Sequence, residues 1–106
     1  MKEITAIKLK RIGIKDGYNG FDYLVAVLER YGDYSIADLS MKDITSYLAK
    51  EFSVSEKAVL HNLTLVLEKS WSCDNSALRT AFSYSREMPT LKEFIATLIV
   101  VTECSA

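Results

Sequence analysis

One proline, Pro89, and four glycines are all that interrupt a chain of 106 residues. Proline removes a backbone donor and glycine weakens helix interiors. A chain so poor in both can run in long helices and lacks the punctuation of a strand-and-turn architecture. The length suits one domain and leaves no room for a second. A hydrophobic content of 49% supplies a core without disulfide or metal staples. The expected fold class is therefore all-α, with residues 1–106 as a single helical unit.

Apolar spacing locates the helices. Ile4, Ile7 and Ile12 fall near helical period in residues 2–12, with Gly13 as the stop and Lys8, Lys10, Arg11 and Lys15 making a basic end. Phe21, Leu24, Val25 and Leu28 form an i, i+3, i+4, i+7 stripe in residues 18–31, closed by Gly32 and Asp33. A further turn or two is expected near Ser35–Leu39. Ser40 then caps a helix, with Asp43 three positions on; its stripe is Ile44, Tyr47, Leu48 and Phe52, and the small Ala49 permits a close crossing. After the turn Phe52-Ser53-Val54-Ser55, Ser55 caps a second helix, with Glu56 in the first turn and a stripe of Val59, Leu63, Val66, Leu67 and Ser70 that leads to Trp71. Two helices joined by a four-residue turn with an inward apolar residue are the pattern of a helix-turn-helix, here at residues 40–71. A shorter helix is expected around Leu78, Ala81 and Phe82, started by Asn75 or Ser76. The last helix follows Pro89, where Thr90 and Glu93 form a capping box. It is apolar on more than one face, so it is either deeply buried or in contact with another protomer.

The charged residues nearly cancel, giving a formal net charge of −1, so any nucleic-acid binding must come from a local patch. The two cysteines, Cys73 and Cys104, have no CxxC spacing and point to a reduced, cytoplasmic protein. The start of the chain does not read as a signal peptide, and no apolar run is long enough to cross a bilayer. His61 is the only histidine and has no metal-ligand partner at a recognisable spacing. Gly13, Gly17 and Gly20 do not follow a strand or precede a phosphate-loop lysine, and no nucleophile elbow is present. The chain is expected to be neither an enzyme nor a carrier of metal or cofactor.

From Ile4 to about Val101 the sequence resembles the C-terminal effector domain of the sporulation master response regulator. The segments that carry the likeness are Ile4-Thr5, Ile12-Gly13, Gly20 with Tyr23-Leu24, Ile44, and Leu48-Ala49-Lys50-Glu51-Phe52. Further on they are Trp71-Ser72, Asn75, Phe82-Ser83-Tyr84, Pro89-Thr90 and Glu93-Phe94-Ile95-Ala96. The resemblance implies about six helices, a DNA-binding helix-turn-helix and control of transcription at promoter sites in double-stranded DNA. It implies as partners a second copy on DNA, RNA polymerase or a full-length regulator. The family's phosphorylated receiver domain has no counterpart in these residues.

The readout residues depart from the family. Its recognition helix exposes arginines, a glutamate and a histidine; the matching positions here are Leu60, His61, Thr64 and Leu65, and no arginine lies between Ser55 and Trp71. Arginine on guanine is the commonest specific major-groove contact, so base reading is expected to be altered. The candidate DNA-contacting residues are Lys50, Ser55, Lys57, Leu60, His61, Thr64, Leu65 and Lys69. Lys57 and His61 would approach the groove, Thr64 and an outward Leu65 would touch bases, and Lys50, Lys69 and the basic N-terminal stretch would hold phosphates. The alternative is a protein-interaction module that has lost DNA binding and uses Leu60, Leu65 and the apolar last helix to pair with or antagonise a full-length regulator.

Overall fold

The computed structural model describes residues 2–32, 38–72 and 87–104. These residues are all-helical: α1 (Lys2–Ile12), α2 (Asn19–Tyr31), α3 (Met41–Glu51), α4 (Glu56–Ser72) and α5 (Leu91–Cys104). The expected turns near Ser35 and the expected helix around Leu78, Ala81 and Phe82 fall mainly or wholly outside the described residues.

The second helix is the hub. It packs against each of the other four, and the strongest contact is with α4. Its expected stripe of Phe21, Leu24, Val25 and Leu28 is buried, but so are Tyr23, Ala26, Val27 and Tyr31, because neighbours cover it on several sides. Only at Asp22, Glu29 and Arg30 does α2 reach solvent beyond its first residue.

The stripe expected for α1 is corrected. Of Ile4, Ile7 and Ile12 only Ile12 is buried, while Ile4 and Ile7 are half exposed. The inner face is instead Thr5, Lys8, Leu9 and Ile12, an i, i+3, i+4, i+7 set centred on the fully buried Leu9. Ile7 lies two residues from Leu9, roughly 200° around the helix, and so points away. Polar links were the missing signal: Thr5 Oγ1 donates to Glu29 Oε1 at 2.8 Å, and Lys8 Nζ donates to the carbonyl of Thr102 in α5 at 3.0 Å.

The ends of the helices follow the capping rules. Gly13 takes φ 108°, and the amides of Gly13 and Ile14 return to the carbonyls of Lys10 and Leu9, a Schellman end sealed by the buried pair Leu9 and Ile14. At α5 the capping box is complete: Glu93 N donates to Thr90 Oγ1 at 3.2 Å, and Thr90 N donates to Glu93 Oε1 at 2.9 Å. The Thr90 backbone N–H, and then its side chain, hold the Glu93 carboxyl below its ordinary value. That stabilisation is present at neutral pH, above the ordinary carboxyl range, and is lost as pH falls through the lowered value. Phe94, Ile95, Ala96, Leu98 and Ile99 of this helix are buried, so the core accounts for most of its apolar surface.

Ser70 ties the α1–α2 connection to α4. Its side chain is fully buried, and its Oγ accepts the backbone N–H of Lys15 at 3.0 Å. Ser70→Ala is expected to destabilise the fold by about 1–2 kcal/mol, since it deletes the acceptor for a backbone donor. Urea unfolding should show a lower midpoint at unchanged slope. An unaltered midpoint would mean that water replaces the hydroxyl at no cost.

Candidate nucleic-acid interface

The candidate interface is built on the turn between α3 and α4. Ser40 caps α3, its Oγ accepting from Asp43 N at 3.4 Å. Ile44 and Leu48 are buried as expected and Tyr47 is half-buried. Phe52, expected in the same stripe, instead lies at the surface with its ring 4.7 Å from that of Tyr23. The helix ends one residue earlier, at Glu51, so the helical register no longer aims Phe52 inward.

Val54 N donates to the Ala49 carbonyl at 3.0 Å, and Ser53 adopts φ 53° in the left-handed region. This is the same type of ending as at Gly13, here on a residue with a Cβ. The conformation costs serine about 1 kcal/mol, which the tight connection to α4 requires. Val54 and Ala49 pack against the core and hold the turn from below. The next helix then starts sharply, with Ser55 Oγ accepting from Ala58 N at 3.1 Å. The hydroxyl of Ser55 is thus committed to the cap.

Along α4, Val59, Leu63, Val66, Leu67 and Ser70 are buried, and Trp71 is only 9% exposed, as the spacing predicts. The eight candidate residues do not form one patch. Lys57, Leu60, His61 and Thr64 follow i, i+3, i+4, i+7 and share one face, exposed at the first three and half-buried at Thr64. Lys69 stands about 18 Å further along the helix from Lys57. Lys50 belongs to a different surface, a groove of about 410 Å³ where α3 meets the end of α2, lined also by Arg30, Tyr31 and Tyr47.

Leu65 is not the outward residue that its break from the stripe suggests. It is half-buried and lines a cleft with Glu68, Lys69, Trp71 and Met88. The segment before α5 returns to this side of α4, which helical periodicity within α4 could not reveal. The exposed leucine of this helix is Leu60, 42% accessible. The ionised side chains of α4 cancel in pairs, Glu56 with Lys57 and Glu68 with Lys69. Its surface is nearly neutral.

Arg30 was not among the candidates. Its guanidinium lies 4.7 Å over the Tyr47 ring and 5.8 Å from that of Tyr31, in the groove that holds Lys50. The local pattern of α2 does not mark it, since the nearer of the two rings, that of Tyr47, comes from α3. Burial, then the charge of Glu51, raises the Tyr47 phenol above its ordinary value, with Arg30 pulling the other way. The hydroxyl therefore remains a protonated donor at neutral pH.

Among the described residues no group of three His, Cys, Asp or Glu side chains could hold a metal ion. No helix among them is long and apolar enough to cross a membrane. A comparison with protein families matches residues 4–101 to the family described as sporulation initiation factor Spo0A C terminal. No curated protein matches the chain.

Proposed function

The chain belongs to the family of sporulation initiation factor Spo0A C-terminal domains, and from that premise we propose that it is a DNA-binding regulator of transcription that lays α4 in the major groove. The observation that carries the reading is the start of α4. A capped N-terminus on a tight turn presents Lys57, Leu60 and His61 to solvent on one face, which is how a recognition helix offers its first turns to base edges. Lys57 and His61 meet phosphates and bases there, with Thr64 next on the same face. Lys50 and Arg30 form a second phosphate contact at the end of α3, and Lys69 a third further along α4. Leu65, half-buried in its cleft beside Trp71 and Met88, stands at the edge of that face and contributes less to direct readout. A protein of this kind works in the cytoplasm on double-stranded promoter DNA.

Without arginine on α4, phosphate neutralisation supplies most of the affinity and base reading little. Titration of a promoter duplex by fluorescence anisotropy at two salt concentrations tests this. Three cationic contacts predict a slope of roughly −3 in log affinity against log salt. Absence of binding to any duplex at low salt refutes the reading.

The exposure of Leu60 on a charge-balanced helix favours one second reading, a protein-interaction module in which α4 meets a full-length regulator or RNA polymerase. Leu60→Arg separates the two. It strengthens binding to duplex DNA if α4 enters the groove, and it abolishes association if Leu60 anchors a protein contact.

A further inference from the structure

Arg30 and Lys50 are exposed on different helices and share the groove where α3 meets the end of α2. An arginine that swings freely on its long stem must be fixed before it can hold a phosphate, and the lost rotamer freedom weakens the contact. Here the guanidinium is held in advance. Its central carbon lies 4.7 Å from the centre of the Tyr47 ring, closer than the 5.8 Å to the ring of its own chain neighbour Tyr31. The Tyr47 ring is anchored in turn. Its centre is 6.0 Å from that of Tyr31 at an interplanar angle of 79°, an edge-to-face pair, and Tyr31 is buried. Order therefore passes from the core through Tyr31 to Tyr47, and from Tyr47 to Arg30.

A guanidinium donates its hydrogen bonds from its edges, in its own plane, whereas an aromatic ring engages its face. The ring can thus restrict Arg30 without consuming the donors that a phosphate takes. Tyr47 stands three residues before Lys50 on α3, so the two are neighbours on the helix surface. The held guanidinium and the Lys50 ammonium are brought to one stretch of the groove. Its carboxylates, Asp38 and Asp43, belong to the start of α3, with Asp43 about 10 Å along the helix from Lys50. A phosphate is favoured at the Lys50 end and repelled from the other. The charge of Glu51 also reaches Tyr47, and the two cations outnumber it there.

With the chain read as a DNA-binding regulator, we infer that Tyr47 is a positioning residue whose ring holds the guanidinium of Arg30 ready for a DNA phosphate beside Lys50. Tyr47 acts through its aromatic face, not its hydroxyl, and touches no DNA itself. Fluorescence anisotropy of a labelled duplex at low and moderate salt, on the whole chain, tests this with Tyr47→Phe, Tyr47→Leu, Arg30→Lys and the double variant of the last two. Tyr47→Phe keeps the ring and should bind within about twofold of the unaltered chain. Tyr47→Leu should weaken binding about fivefold with an unchanged slope against log salt, since no charge is lost. Arg30→Lys should do the same, because an ammonium keeps the charge but lacks the planar fork. Both changes remove one device, so the double variant should bind no more than about twofold weaker than either single one. Thermal melts by circular dichroism, with binding measured well below the lowest midpoint, keep loss of folding apart from loss of contact. Three results overturn the positioning role while the DNA reading stands: Tyr47→Leu binding as the unaltered chain does, Tyr47→Phe as weak as Tyr47→Leu, or losses that multiply to about 25-fold in the double variant. If the unaltered chain binds no duplex at low salt, the DNA reading falls and this role falls with it.

Discussion

Gly20→Ala is expected to destabilise the fold by about 2–3 kcal/mol, although alanine is the better helix former. A Cβ at this position would lie 2.3 Å from the backbone carbonyl oxygen of Asn62 and 2.8 Å from Val66 Cγ1. The carbonyl belongs to the middle of α4 and cannot step aside without moving the helix. Overpacking against backbone therefore outweighs the helix-propensity gain, which is below about 1 kcal/mol. By the usual conversion for a domain of this size, the melting temperature should fall by about 10–20 °C. A variant as stable as the unaltered protein would show that α2 and α4 can separate at this crossing without loss. The same displacement would tilt the helix that carries Lys57 and His61, so any DNA affinity should drop with it.

The second large effect is on binding. Lys57→Glu changes the ionised side chains of α4 from two acids and two bases to three acids and one base. It does so at the end of the helix proposed to approach the phosphates. Duplex affinity at low salt should fall by about 10–100-fold, and the slope against log salt should lose about one unit. Stability should hold or rise slightly, because Lys57 is exposed and an acidic residue suits a helix N-terminus. Anisotropy titrations beside a thermal melt separate the two quantities. Unchanged affinity and slope would remove Lys57 from the DNA contact and favour the protein-interaction reading.

How much of this was legible in the sequence differs from element to element. Ends of helices were readable because caps are local: Gly13, Ser40, Ser55 and the Thr90–Glu93 box each act within a few residues. The buried side of α4 was readable because its stripe is long and ends in Trp71. The orientation of α1 was not, because its inner face mixes Thr5 and Lys8 with Leu9, and two isoleucines on the other side mimic a stripe. Leu65 and Arg30 escaped for a different reason. What surrounds each of them arrives from a segment distant in the chain, Met88 in one case and Tyr47 in the other. Of the candidate site, the face 57–60–61–64 could be read from helical period, whereas the separation of Lys50 from it depends on how α2 and α3 meet.

The hydrogen bond from Lys8 to Thr102 has a bearing on how the molecule is made. It joins residues 94 positions apart, and α1 packs on α5 as well as on α2. During translation α1 emerges before the other described helices and α5 after them. Leu9 and Ile12 thus await part of their covering until α5 has been made, and the helices in between can assemble sooner around α2. Closure of the fold couples the first and the last of the described helices. A nascent chain stalled before Leu91 would hold its helix-turn-helix segment while leaving the inner side of α1 and part of α2 open to chaperones or proteases.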